Sequence, residues 1–320
     1  MQKDILPSTK QVIETARHIS INEVSLENFC AMFSGKNLES DGLGQHFQEW
    51  DVEALINLVC LFNCANFCFW APKGEQKWTV EIDGESVDGA DALFRSFEEA
   101  VVRGVPLFDA TFLSGISRER LGEILRGNVE IPLLNERVRC LQEAGHVLLK
   151  QFGGTFTNIL SESSGDAARL VDIFIQHFPL FDDFAVLDGT KIEFHKRAQL
   201  NADMINHRLV KKGKSGLTNL DKLTAFADYK VPQMLRRFGV LEYDEALSQR
   251  VDAYRELPTG SREEVEIRAM TIWAVEKMKV SLRNRYPTID ARQLDDYLWN
   301  TGQIKNQDDK PYHRTRTIYY

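Results

Sequence analysis

The chain has 320 residues, 43% of them hydrophobic and 27% charged, which is enough apolar material for a full core and excludes a disordered chain. Its net charge of −8 argues against a protein built chiefly to grip duplex nucleic acid, because that binding is dominated by neutralised phosphates. Five cysteines without a disulfide-like framework, and an amino terminus (MQKDILPSTK) without an apolar signal region, point to a reduced, cytoplasmic protein.

The longest apolar run, 55–71, is interrupted by Asn57, Asn63 and Asn66. Those amides are costly in lipid, so the run reads as a buried helix from 51 to about 64 leading into a strand, not a membrane span. Phe67-Cys68-Phe69-Trp70, a turn at Pro72-Lys73-Gly74, and an alternating arm over 78–84 then read as a β-hairpin. Helices are expected near 90–103, 117–126 and 134–151, with Gly153-Gly154 ending the last and Thr155 or Thr157 capping the next.

Residues 166–177 carry helical spacing, with Leu170, Ile173, Phe174 and His177 in register. A second hairpin is expected over 184–194, because Asp188-Gly189 between two apolar arms favours the positive φ of a tight turn. A helix follows from about 196 to 209, then the basic loop Lys211-Lys212-Gly213-Lys214-Ser215-Gly216. From 219 to about 299 the chain reads as helical, with breaks near Gly239, 258–260 and Pro287. The β-favouring, aromatic end PYHRTRTIYY is expected to dock on the body. The fold class is mainly α, an α+β chain with two small β-hairpin elements. No linker splits it, so 1–320 reads as one compact domain, divisible at most into subregions 1–150 and 151–320.

Several patterns invite a site reading. Cys60, Cys64 and Cys68 lie at i, i+4 and i+8, but the aromatic neighbours Phe67, Phe69 and Trp70 favour buried apolar thiols over a metal cluster, and no metal site is assigned. Gly213-Lys214-Ser215 resembles the end of a phosphate loop, yet Arg208 stands where that loop needs glycine. His195-Lys196-Arg197 puts three cations at a helix start, where the dipole disfavours them, and so suggests an anionic ligand. Asp182-Asp183 reads as a solvated turn before a strand. Trp70, Trp78 and Trp273 are core aromatics or stacking surfaces for a planar base.

The most informative stretch is Leu223 to Gly239, LTAFADYKVPQMLRRFG. Pro232 must lie in the first turn of a new helix, so Asp228 falls at or just before its N-terminus, where aligned peptide dipoles favour negative charge. Phe226 and Tyr229 flank it and Lys230 follows. Two roles fit: an N-cap, worth about 0.5–2 kcal/mol, or a carboxylate that stabilises a developing sugar cation.

The segments NFCFW (66–70), QFGGTFTN (151–158), FHKRAQLNADM (194–204), LTAFADYKVPQ (223–233), EIRAMTIWAVE (266–276) and HRTRTIYY (313–320) together resemble the queuosine salvage protein family, from about Asn66 to the carboxyl end. The resemblance implies a queuosine 5′-phosphate N-glycosylase/hydrolase that releases the base queuine for salvage into tRNA modification. It implies a small-molecule nucleotide substrate and no metal or organic cofactor, and the acidic charge and the Asn-interrupted apolar run add the expectation of no duplex nucleic acid and no membrane. On this reading Asp228 stabilises the ribosyl cation and directs or deprotonates the attacking water. Lys196 assists near the departing base or the 5′-phosphate. Phe69, Trp70 or Tyr229 stacks the deazaguanine plane, and Asp182 or Asp183 pairs with the base's N–H edge or with its cationic side-arm amine. His195 and Lys230 are further substrate contacts.

A looser likeness points the same way. Ala227-Asp228-Tyr229-Lys230-Val231 followed by Arg236 is similar in layout to the catalytic region of helix-hairpin-helix DNA glycosylases, but Leu220-Asp221-Lys222-Leu223 lacks that group's hairpin glycines. The competing expectations are a glycosylase or nucleosidase acting on another modified nucleotide or on a base in single-stranded nucleic acid, and a non-catalytic helical interaction module.

Overall fold

A computed structural model describes residues 5–35, 50–304, 306 and 309–320. Its helices in the first part of the chain are α1 (Ile5–Glu14), α2 (Glu23–Met32), α3 (Val52–Ala65), α4 (Gly89–Val102), α5 (Ala110–Ser114), α6 (Arg118–Ile124) and α7 (Leu134–Gln151). Further along come α8 (Phe156–Ser163), α9 (Ala167–His177), α10 (Lys196–Lys211), α11 (Lys230–Arg237), α12 (Glu245–Asp252), α13 (Arg262–Leu282) and α14 (Ala291–Thr301). The strands are β1 (Ile19–Ile21), β2 (Thr79–Ile82), β3 (Glu85–Asp88), β4 (Phe184–Leu187), β5 (Thr190–Glu193) and β6 (Leu241–Tyr243). They form three antiparallel pairs, β1–β6, β2–β3 and β4–β5. The protein is therefore mainly helical with small antiparallel sheets. Among the described residues no helix is long and apolar enough to cross a membrane.

The chain divides into two compact units. The first comprises Met1–Gly42, Asp183–Gln199 and Asn219–Arg316, and the second Leu43–Asp182, Leu200–Thr218 and Thr317–Tyr320.

In the first unit α13 is buried along most of its length, from Val265 to Leu282, and packs against α1, α2, α11 and α14. One apolar cluster joins Phe29, Met234, Leu235, Ile267, Met278 and Leu298. A second joins Ile5, Val12, Ile192, Phe194, Ala227 and Ile272. The second cluster thus fixes the residues immediately before His195 and Asp228. Segment 309–316 docks within this unit, where Arg314 bridges to Glu256 and its carbonyl accepts from Leu257 N–H at 2.7 Å.

In the second unit α3 is buried from Leu55 to Ala65 and packs on α4, α7 and α8. Helices α5 and α7 come close at Gly145, where a Cβ would run into the backbone nitrogen of Ser114. Tyr320 closes the chain with its carbonyl accepting from Cys68 N–H at 2.9 Å.

Most expected helices form within a residue or two, and caps explain their starts: Ser117, Thr155 and Asp166 each accept a backbone N–H of the first turn. The Asp188-Gly189 hairpin forms as expected, both residues at positive φ. The first hairpin is a correction. It pairs 79–82 with 85–88 around Asp83-Gly84, while Phe67–Trp70 is no strand. The carbonyls of Ala65, Phe67 and Cys68 instead accept from the Arg137 guanidinium, so this buried stretch needs no strand partner. Two further corrections concern 219–299: residues 223–228 are irregular, and β6 interrupts the helices to pair with β1.

Candidate active site

Residues 223–228 form a fully buried segment without secondary structure, so its backbone polar groups must find partners. Side chains of three helices supply them. Gln199 at the start of α10 accepts Thr224 N–H through Oε1 at 2.8 Å. Asp295 of α14 accepts Phe226 N–H at 2.8 Å, and Arg268 of α13 donates from Nε to the Ala227 carbonyl at 3.1 Å. The segment ends at Asp228, whose Oδ1 accepts the N–H groups of Lys230 and Val231 at 2.7 and 2.9 Å. Pro232 sits in the first turn of α11, as its ring requires.

One oxygen of Asp228 is thereby anchored. Among the described residues the other oxygen takes no hydrogen bond, although the side chain is only 7% exposed. Burial raises the carboxyl above its ordinary range, and the Lys196 ammonium and the two amides oppose that rise. Lys196, the first residue of α10, is 6% exposed, and its ammonium takes no hydrogen bond among the described residues. Burial lowers its pKa, while Asp228, Asp295 and Asp183 push it back up. Asp228 and Lys196 are thus a buried acid and base coupled through their fields.

Asp295 is a second buried carboxyl. Burial, Asp228 and Asp296 raise its pKa well above the ordinary carboxylate range. Asp228 has two amides and Lys196 to favour its charge, whereas Asp295 accepts one amide. The protonated form is therefore favoured more strongly at Asp295 than at Asp228.

Asp183 is fully buried. Its Oδ1 and Oδ2 accept from the two terminal nitrogens of Arg268 at 2.8 and 2.6 Å, and Oδ2 also accepts Lys196 N–H at 3.1 Å. Its carbonyl accepts from Phe194 and His195 N–H. The anion that the cationic helix start called for is thus supplied in part by this carboxylate. His195 precedes α10 at φ +49°, buried, with Nε2 3.4 Å from Glu193. That contact and Lys191 hold Glu193 down to about 2 against its burial. Tyr229 and Tyr312 pack with ring centroids 4.8 Å apart, and the Lys230 ammonium lies 5.3 Å from the Tyr312 ring.

Asp228, Lys196, Asp183, His195, Tyr229 and Lys230 all belong to the first unit. Phe69, Trp70 and Asp182 belong to the second. There Phe69 stacks on Trp78 at 6.5 Å with the Arg137 guanidinium 5.0 Å from its ring, Trp70 is 1% exposed, and Asp182 is half-buried. All five cysteines are buried thiols outside any disulfide, and α3 ends before Cys68, so the thiols do not share one helical face. Trp273 donates to Thr9 and borders a surface groove of about 500 Å³ whose walls include neither Asp228 nor Lys196.

Sequence reasoning missed Gln199, Arg268 and Asp295. Two lie in the quoted segments HKRAQ and EIRAM, which marked them without assigning a task. Asp295 had a local signal: it follows Leu294 on the apolar face of α14.

The profile of the queuosine salvage protein family matches residues 45–320. A queuosine 5′-phosphate N-glycosylase/hydrolase from Sphaerobacter thermophilus is 39% identical over 317 residues, covering 99% of this chain and 97% of that protein. The protein of the same name from Mus musculus is 34% identical over 279 residues, 84% of this chain and 82% of its own length. That from Bos taurus is 30% identical over 332 residues, 98% and 97% of the two chains. The chain belongs to the queuosine salvage protein family.

Proposed function

We propose that this protein hydrolyses the N-glycosidic bond of queuosine 5′-phosphate, releasing queuine for salvage into tRNA modification. The activity is that of its named relatives, one of them 39% identical over nearly the whole chain. Asp228 is the observation that ties the chemistry to this molecule, with one oxygen fixed on two helix-terminal amides and the other available to a reactant.

In 7-deazaguanine N7 is replaced by carbon, so the usual protonation site of a departing purine is missing, and catalysis must act mainly on the sugar. Asp228, ionised, stabilises the oxocarbenium-like ribose and takes the proton of the attacking water as oxygen bonds to the anomeric carbon. The bond to the base breaks with its electron pair going to the base. Lys196, a stronger acid than an ordinary lysine because it is buried, supplies the cation and the proton that this anion needs. No metal or organic cofactor enters these steps. Asp183 acts as a positioning group, since Arg268 and Lys196 N–H occupy its oxygens. Base stacking falls to Tyr229, and substrate contacts to Lys230 and His195.

The family match runs through both units, which supports a single catalytic domain over 1–320. The short turn at Leu220–Lys222, followed by an Asp capping the next helix, supports a helix-hairpin-helix-like layout. Net charge −8 and the missing hairpin glycines argue against duplex nucleic acid as substrate, and five cysteines without a disulfide suit the cytoplasm.

Incubation with queuosine 5′-phosphate, GMP and a short oligonucleotide tests this assignment. Queuine and ribose 5-phosphate should form while GMP and the oligonucleotide persist. Guanine released as fast as queuine would remove the substrate assignment.

A further inference from the structure

Resting on the assignment of Asp228 and Lys196 above, we propose that Arg268, through Asp183, is the positioning residue that holds these two side chains in one reactive geometry.

Arg268 projects from α13, the buried helix of the first unit, and is 2% exposed. Its Nε donates to the carbonyl of Ala227, the residue before Asp228. Its two terminal nitrogens grip both oxygens of Asp183, and Asp183 in turn accepts the backbone N–H of Lys196. The guanidinium plane lies 3.9 Å from the Phe194 ring centroid, which fixes its orientation. Asp228 and Lys196 come from distant parts of the sequence, and this fork joins the backbone beside each of them through one rigid group.

Stability alone does not require such a pair. Desolvating two charges offsets much of their attraction, and apolar residues of similar volume often serve a buried site equally well. What an apolar pair cannot reproduce is direction: three donors in a planar fork set the Ala227 carbonyl and the Asp183 carboxylate at fixed angles. Reactions that depend on oriented groups lose rate steeply when a group shifts by about 1 Å.

The full-length Arg268→Met/Asp183→Leu double variant and Arg268→Lys separate positioning from folding. Lysine keeps the charge but cannot reach the Ala227 carbonyl and both Asp183 oxygens at once. Steady-state release of queuine gives kcat and KM, thermal denaturation gives Tm, and the pH profile of kcat/KM reads the ionisation of Lys196. For both variants we expect a folded protein with kcat reduced about 10- to 100-fold and KM changed far less. Asp183→Asn removes a charge that raises the Lys196 pKa, so the alkaline limb should move to lower pH.

Native kcat in either folded variant would overturn the inference, as would activity lost only in proportion to unfolded protein. Asp228→Asn is measured alongside. If it turns over normally, the assignment of the catalytic pair fails and takes this inference with it. If it is inactive while the double variant is native-like, only the role of Arg268 falls.

Discussion

Asp295 Oδ1 accepts the backbone N–H of Phe226 at 2.8 Å, so a carboxyl from α14 fastens the strand of chain that delivers Asp228. The same contact sets a second buried acid beside the first, and burial, reinforced by the charge of Asp228, raises its pKa well above the ordinary carboxylate range.

Asp228→Asn preserves the cap, because the amide oxygen still accepts from Lys230 and Val231, but it removes the charge. Turnover of queuosine 5′-phosphate should fall by about 10²–10⁴ with Tm nearly unchanged. Quantifying queuine release beside a thermal melt checks both halves, and near-native turnover would exclude Asp228 as the reacting carboxylate.

The pH dependence of kcat/KM should be bell-shaped and narrow. Asp228 works ionised and its pKa is raised, so activity is lost on acidification at a higher pH than for an ordinary aspartate. Lys196 works protonated and its pKa is lowered, so activity is lost on alkalinisation below the usual lysine range. Lys196→Met removes the cation that lowers the Asp228 pKa. The acid limb of its residual activity should therefore move to higher pH, and an unmoved limb would show that the two groups are not coupled.

Asp295→Ala and Asp295→Asn separate structure from charge. Alanine leaves the Phe226 N–H buried and unpaired, costing about 1–3 kcal/mol, whereas asparagine keeps an acceptor and should melt closer to the native protein. Asp295 favours its protonated form, so neither variant removes a charge beside Asp228 and the acid limb of kcat/KM should stay where it is in the native protein. Denaturant titration and a pH–rate profile on the two variants provide the test, and equal stabilities would deny the Phe226 contact any role in holding the segment.

His313 supplies a stability signature. Burial, helped by Arg268, lowers its pKa from 6.5 to about 3, so the folded state holds it neutral where the unfolded chain binds a proton. It contributes no pH dependence above the unfolded value, and stability is lost as pH falls from about 6.5 to about 3, by up to about 1.4 kcal/mol per pH unit. In His313→Gln this component disappears. Melting curves between pH 7 and 4 should diverge between the two proteins, and parallel curves would contradict a buried neutral imidazole.

Local chemistry made much of this protein legible from its residues. Helical spacing announced several helices, Thr155 the cap of α8, Asp188-Gly189 its hairpin, and Pro232 the helix start beside Asp228, because each depends on neighbours a few residues away. The quoted motifs also pointed to the family that the comparisons support. The same local logic failed at Phe67–Trp70, where an apolar run ahead of Pro72-Lys73-Gly74 suggested a hairpin arm, while the true hairpin turns at Asp83-Gly84.

Remote partners were the part that only tertiary structure decided. The β1–β6 pair joins Ile19 to Tyr243, and three-residue strands leave too short a pattern to read. Segment 223–228 has no regular structure, so nothing in its own sequence says which groups will satisfy its buried backbone. Gln199, Arg268 and Asp295 do so from 25, 41 and 69 residues away. The need for hydrogen bonds follows from burial, and burial belongs to the folded chain: the sequence could nominate Asp228, but packing chose the side chains that hold it.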